Sequence, residues 1–528
     1  MSKLEPREEI LIVGGGTAGW LTAAWLAKHL GGPGGLRISL VESSDIPTVG
    51  VGEGTFPTIA RTLSALGADE AEFMRESAAA FKQGIRFVDW VHPKTSGRRR
   101  HYYHPFALPR EVEGLELLPY WLSGEAGPIS WADAATLQEK VCDAGRAPKR
   151  DTDAAFRGPM NYAYHLDAGR FGAYLSRLAR ALGVRHYVGT VSRVELDVSG
   201  AIAGVVTEQH GTLTAGLYVD CTGFRAELIG RTLGVPFVPK GDVLFVDHAV
   251  ALQVPYDNET AEVPPYTIST AHEAGWTWDI GLPTRRGIGY VYSSRHTDAT
   301  RAETVLRDYV GEAARGLSAR QLTLDIGWRA RHWVKNCVAV GLAGGFLEPL
   351  ESTGIILIEA AAYMIASLYQ RSGELAPAAA RFNQLMTARY ERIVDFIKLH
   401  YFLTQRQDSA FWRDNADPAS ATESLRAHLE MWRHRPPARF DFTMDHETFA
   451  IANYQFVLYG MEFETRLAGG PRFPEIPRAR EEFARVQAAG RRAAAVLPAH
   501  RELLHRVNQA GFRFSEQPVR PAQPVLMR

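Results

Sequence analysis

The chain has 528 residues, of which 46% are hydrophobic, enough for a sizeable core spread over two or three domains. Lysine plus arginine and aspartate plus glutamate each number 59, and this absence of a basic bias argues against a nucleic-acid binder. Cys142, Cys221 and Cys337 are too scattered for a disulfide framework or a zinc site, and no apolar run is long enough for a transmembrane helix.

In chain order, "EEILIVGGGTAGWLTAAWLAKHL" reads as a buried strand, a glycine turn and a helix with apolar spacing from Trp20 to Leu30. Its leading apolar run is too short for a signal peptide, and the few cysteines suit a reducing compartment, so a cytoplasmic location is expected. "GGPGG" is a loop and "LRISLVES" a second strand, which completes a βαβ unit. Residues 58–82 are predicted helical and "GIRFVDWV" a strand. The basic run "GRRRHYYH" reads as a solvated loop, and residues 93–160 carry no definite element. "HLDAGRFGAYLSRLARALG" has the spacing of an amphipathic helix; "VRHYVGTVSRVELD" and "IAGVVTEQ" alternate like strands. "LTAGLYVDCTG" is a further buried strand, residues 240–330 alternate strands and turns, and "CVAVGLAGG" is a strand-to-turn element. A long apolar helix starts near Gly354, and the chain is mostly helical after residue 375, ahead of a proline-rich loose tail.

Gly14, Gly16 and Gly19 form G-x-G-x-x-G, with Thr17 and Ala18 between the last two, and Glu42 closes the next strand. In such a unit the first glycine permits the tight turn and the second lets backbone approach a pyrophosphate. The third lets helix and strand pack closely, the helix N-terminus faces the anion, and the acid receives a ribose hydroxyl. A glycine-rich turn in an unrelated α/β fold is the alternative. Two later elements favour FAD over NAD: "LYVDCTGFR" and "VAVGLAGGFLEPLESTGIILIEAA" resemble the second and third signatures of glutathione-reductase-like flavoproteins. Ser352 and Thr353 are candidate N-caps of the last helix, whose free N–H groups suit a flavin edge and a small anion. The expected fold is therefore mixed α/β, a glutathione-reductase-like FAD-binding fold with a substrate module largely helical at its C-terminal end.

Together "GGGTAGW", "GVGEGTFPT", "FKQGIRFVDW", "YHLDAGRF", "CTGFR", "GWTWDIGLP", "GIGYVYSS" and "EPLESTGI" resemble the flavin-dependent tryptophan halogenases over residues 8 to about 465. The family's W-x-W-x-I-P signature is matched in part, by Trp276, Trp278 and Ile280, with the proline displaced to Pro283. The resemblance implies an FAD module over 8–375 carrying an inserted, substrate-covering sheet, a helical substrate module over 376–515, and a tail over 516–528. It implies that reduced FAD, oxygen and halide yield hypohalous acid, which crosses a tunnel to an electron-rich arene. A separate NAD(P)H-dependent flavin reductase would supply the reduced cofactor; a monomer or homodimer is expected, with no nucleic-acid or membrane partner.

By the same resemblance Lys82, which by itself reads as a solvated lysine after an apolar run, becomes the catalytic lysine. It would act either as an ammonium that polarises hypohalous acid or as an amine that forms a haloamine. Glu351 corresponds to the active-site glutamate, which stabilises the cationic intermediate and accepts its proton. Thr353 and Gly354 match the positions whose backbone donors hold halide; Val191, Leu342 and Ile355 match positions along the flavin, where core packing explains them nearly as well. His104 and Phe106 match an H-x-F wall around indole, with Phe449 a candidate opposite wall. The segment "FDFTMDHETFA" before "ANYQFVLYGMEF" departs from the pattern that grips an amino-acid head, so indole or another small aromatic is favoured over free tryptophan. Chloride and bromide remain alternatives. A flavin aromatic hydroxylase and a non-catalytic flavin sensor are the competing functions.

Overall fold

The computed structural model describes residues 8–44, 52–370, 374–443, 447–467 and 474–512. Gly50 and Val51 of "GVGEGTFPT", three residues of "FDFTMDHETFA" and the expected tail lie outside the described residues. The strand Glu9–Val13 lies inside a six-stranded sheet ordered Trp333–Val334, Cys337–Ala339, Leu217–Asp220, Glu9–Val13, Arg37–Glu42, Arg185–Val188. All neighbours are parallel except the first pair. Parallel strands are covered on both faces, which is why "ILIV" reads as an unbroken apolar run rather than an alternation. Gly14, at φ 111°, turns the chain against the carbonyl of Cys221, and a β-carbon at Gly19 would collide with the carbonyl of Gly14. The helix Thr17–Leu30 thereby lies close on the sheet, packed between the helices Ala168–Ala181 and Thr353–Leu368.

A seven-stranded sheet is ordered Arg320–Thr323, His248–Pro255, Arg285–Tyr292, Gly275–Gly281, Thr267–Ala271, Gly84–Val88, His101–Pro105. It is antiparallel except where Thr267–Ala271 meets Gly84–Val88. A small antiparallel sheet, Gly52–Gly54, Ala163–Asp167, Ala80–Lys82, stands beside it. Beyond residue 375 come the helices Leu375–Phe402, Ala410–Ala416, Glu423–Trp432, Ile451–Gly460, Ile476–Val496 and His500–Ala510. One hydrophobic cluster runs from Ile10 and Trp20 through Phe396 to Leu503 and Val507. Among the described residues no helix is long and apolar enough to cross a membrane.

Three sequence expectations are corrected. Residues 58–82 are not one helix: Thr58–Leu66 ends at Gly67 (φ 84°), and Glu70–Glu76 follows a cap from Asp69. Ala78 then turns at φ 46°, and Ala80–Lys82 is a strand. The apolar spacing was misleading because Ala80, Phe81 and Lys82 are all buried, so this strand carries no alternation. Residues 240–330 are interrupted by the helix Ala299–Val310, capped by Asp298, whose Val305 and Leu306 cluster with Leu252 and Ile288. Within 93–160 the strand His101–Pro105 went unseen, again because four of its five residues are buried. The displaced Pro283 does no harm: Gly275–Gly281 and Arg285–Tyr292 pair in a regular hairpin.

Candidate active site

The first helix offers an open anion cradle. Its N-cap Gly16 is extended, no side chain caps the helix, and its first turn holds no acid. The space where a side chain would stand on Gly16 is empty. Ala18, in that turn, borders the third signature, since a β-carbon on Gly341 would be 2.7 Å from that of Ala18. Leu342 lies in the same short turn, Gly341–Ala343. Glu42 ends the second strand with its carboxylate over Gly15, and its carbonyl accepts from Gly189 at 2.8 Å. Ser43 and Thr190 meet at 2.9 Å, which brings Val191 to the same edge. A glycine-shaped approach, an uncapped helix and an acid at the far end suit a dinucleotide, so the residues present fit a flavin nucleotide.

The helix Thr353–Leu368 starts unusually. Ser352 was expected to cap it; instead Ser352 adopts a left-handed backbone (φ 56°, ψ 41°) and makes no capping bond. Its hydroxyl accepts from Lys82 Nζ at 2.8 Å. That conformation costs a non-glycine residue about 1–2 kcal/mol. The helix N-terminus is thereby left uncapped, with Thr353 and Ile355 buried and Gly354 exposed beside empty space. Such a start attracts a small anion.

Lys82 is fully buried. Nζ also donates to the carbonyl of Thr55 at 3.3 Å and lies 5.3 Å from the ring centre of Phe106. Burial lowers its pKa to about 7, against the opposing pull of Glu351. The strand carrying it is held on both edges: Phe81 pairs with Tyr164, and the Phe81 N–H donates to His500 Nε2 at 3.1 Å. Gly54 faces the amine, and a β-carbon there would be 2.8 Å from Ser352 Oγ and 3.0 Å from Lys82 Nζ. Gly54→Ala is therefore expected to displace the amine and cut turnover roughly tenfold with little change in flavin affinity; steady-state rates beside a flavin titration check this. Gly52, two residues before Gly54, lines a cavity of about 300 Å³ with Trp278, Arg285, Gly287 and Arg320.

Glu351 is buried between two imidazoles. His104 Nδ1 lies 3.0 and 2.9 Å from its two oxygens. His400 Nε2 lies 2.9 Å from Oε1 but off the direction of a hydrogen bond, while its Nδ1 meets Tyr102 Oη at 2.7 Å. Burial alone would raise the carboxyl; its two imidazole neighbours, first His104, whose Nδ1 hydrogen-bonds it, and then the close-lying His400, outweigh burial and hold Glu351 at about 2. The carboxylate is anionic at any working pH.

Phe106, Phe56, Phe449 and Phe396 form an aromatic box next to these groups. Phe56 lies 5.6 Å from Phe106 and 5.7 Å from Phe449, and Phe449 stacks on Phe396 at 3.8 Å. His104 and Phe449 are 6.4 Å apart. Trp276 Nε1 donates to Glu348 at 3.0 Å, which ties the tryptophan strand to the turn that carries Glu351. The structure thus brings Lys82, Glu351, His104, Phe106 and Phe449 into one cluster, and Thr353 and Gly354 adjoin it through Ser352. Thr17, Ala18, Glu42, Val191 and Leu342 lie along the cradle instead. Sequence reading missed Phe56, His400, Tyr102, Asn453 and His500. Phe56 lay inside a quoted motif, but no spacing singles out the others, which come from segments hundreds of residues apart.

A family model described as tryptophan halogenase matches residues 9–469. The chain is 38% identical over 452 residues to the tryptophan 6-halogenase SttH of Streptomyces toxytricini, covering 81% of this chain and 84% of that protein. Among solved structures it resembles a tryptophan halogenase from Shewanella frigidimarina, at 40% identity and TM-score 0.91, covering 96% of this chain and 99% of the other. It also resembles BrvH, a flavin-dependent halogenase from Brevundimonas sp. BAL3, at 33% identity and TM-score 0.84, with coverage of 95% and 100%.

Proposed function

This chain belongs to the tryptophan halogenase family and is a flavin-dependent halogenase; from that premise we propose that Lys82 and Glu351 direct hypohalous acid onto an indole-like arene held in the phenylalanine box. Gly14, Gly16, Thr17, Ala18, Gly19 and Glu42 would hold FAD in the module spanning 8–375, with Val191, Leu342 and Ile355 along it. The bound, reduced cofactor supplies hypohalous acid from oxygen and halide. Thr353 and Gly354 receive the halide at the uncapped helix start. The oxidant then passes Ser352 to Lys82.

There an ammonium N–H of Lys82 hydrogen-bonds the oxygen of hypohalous acid. The arene carbon attacks the halogen, the oxygen–halogen bond breaks, and the leaving oxygen takes the Lys82 ammonium proton to become water, leaving the amine neutral. Glu351 stabilises the ring cation and accepts the ring proton, whose C–H electron pair restores aromaticity. The box binds a flat ring by stacking, and water is excluded because Lys82 and Glu351 are buried. The observation that carries this reading is the position of Lys82 Nζ, between Ser352 at the head of the uncapped helix and the ring of Phe106. A separate NAD(P)H-dependent flavin reductase would keep the cofactor reduced.

A second reading keeps free tryptophan as substrate. Glu447, two residues before Phe449, is 8% exposed, and its Oε1 has no hydrogen-bond partner among the described residues. Burial pushes its carboxyl up to about 7, and an arriving ammonium would ionise it. Mass spectrometry of reactions on indole and on tryptophan, each with chloride, with bromide and without halide, decides between them. Halogenated indole in excess of halogenated tryptophan is expected. The reverse order favours the second reading, and a hydroxylated product formed without halide overturns both.

A further inference from the structure

His104 has two ring nitrogens, and which one carries the proton determines what Glu351 meets. The answer can be traced from a helix cap. The helix Ile451–Gly460 begins with the Ala450 N–H donating to Asn453 Oδ1 at 2.7 Å. This fixes the orientation of the amide, because only its oxygen can accept from a backbone N–H. Asn453 Nδ2 is then the atom that lies 2.7 Å from His104 Nε2, and an amide nitrogen can only donate. His104 Nε2 must therefore be bare, and its single proton sits on Nδ1, against both oxygens of Glu351. His104 is fully buried and Asn453 8% exposed, so water does not compete for these bonds.

We propose that Asn453 is a positioning residue that selects the Nδ1–H tautomer of His104, and that this tautomer holds Glu351 as a hydrogen-bonded anion toward the substrate. The opposite tautomer would aim a lone pair at the carboxylate and favour its protonated form, which can neither stabilise a ring cation nor take its proton. The proposal rests on the role given to Glu351 above. Asn453 touches neither substrate nor oxidant in this account; it acts through His104.

The test uses the full-length holoenzyme with oxidised FAD, labelled with 15N-histidine. Long-range 15N–1H spectra report the tautomer, and the His104 signals are assigned by their loss in His104→Gln. The native protein is expected to show His104 protonated at Nδ1 and bare at Nε2. In Asn453→Asp a second carboxylate faces Nε2, and both nitrogens should become protonated. In Asn453→Leu the preference for Nδ1–H should be lost. In single-turnover halogenation Asn453→Leu should slow the chemical step roughly tenfold or more, whereas Asn453→Asp, which keeps the Nδ1–H against Glu351, should slow it less. An Nε2–H or doubly protonated His104 in the native protein overturns the proposal, as does an unchanged tautomer in both variants. Should a variant fail to fold, the native spectrum alone still decides the tautomer. Should the native enzyme not halogenate any arene, the function above fails while the tautomer stays independently measured.

Discussion

Lys82→Ala is expected to lose halogenation by roughly a thousandfold or more while flavin binding persists. The amine lies buried between the helix start and the aromatic box, and alanine leaves nothing to engage the oxidant at that point. The residues of the flavin cradle sit on other elements, so a flavin titration should be almost unchanged. Unfolding does not threaten this experiment, for a reason of sign. The pKa of Lys82 falls from 10.5 to about 7 on folding. Above pH 7 the unfolded chain thus binds the proton more strongly than the native one, and the native state bears a penalty that is largest below pH 7 and shrinks as pH rises towards 10. At about 1.4 kcal/mol per pK unit the penalty reaches a few kcal/mol. Lys82→Met, which fills the same space without charge, should therefore melt above the wild type, by a margin that narrows from pH 6 to pH 9. The wild-type rate profile identifies the working form of the lysine. A rate that falls as pH rises through about 7 marks an ammonium donor, and one that rises marks the neutral amine of a haloamine route. Product quantified by mass spectrometry settles the main claim: halogenation retained in Lys82→Ala removes the lysine from the mechanism.

Glu351→Gln should slow turnover by roughly a hundredfold or more, with arene KM little altered. Glutamine keeps the volume and can still accept from His104 Nδ1, but it carries no charge and cannot take a proton. The native carboxyl, held at about 2 against an ordinary 4.5, contributes stability that is complete above pH 4.5 and lost as pH falls through that value towards 2. The variant lacks this acid-sensitive term, so its melting temperature should depend less steeply on pH below 4.5 than that of the wild type. An unchanged single-turnover rate would exclude Glu351 from the chemistry. A slow rate without the change in acid sensitivity would mean that the two imidazoles do not hold the native carboxyl below its ordinary pKa.

Glycine turns, strand–helix alternation and the helix start at "EPLESTGI" were legible in the sequence because each is a local backbone constraint, whereas the cap expected there from Ser352 did not form. Gly14 needs its positive φ and Gly19 its missing side chain whatever the rest of the chain does. The same holds for the apolar strand Glu9–Val13, since a parallel strand covered on both faces can only be apolar throughout. Lys82, Glu351, His104 and Phe106 could be marked by resemblance, yet nothing in their spacing says that they meet. Local reasoning failed where burial removed the pattern it depends on: the strand of Lys82 looked helical because none of its side chains faces water. Folding alone turned the Ser352 hydroxyl away from its own helix and onto Lys82, brought His400 to the carboxylate, and set Asn453 against His104. These contacts join residues from 49 to 349 positions apart, and such pairings are selected by the packing of whole sheets and helices. A local sequence can dictate the conformation of its own backbone, but only the closed core decides which distant side chains lose their water together and must answer one another's charge.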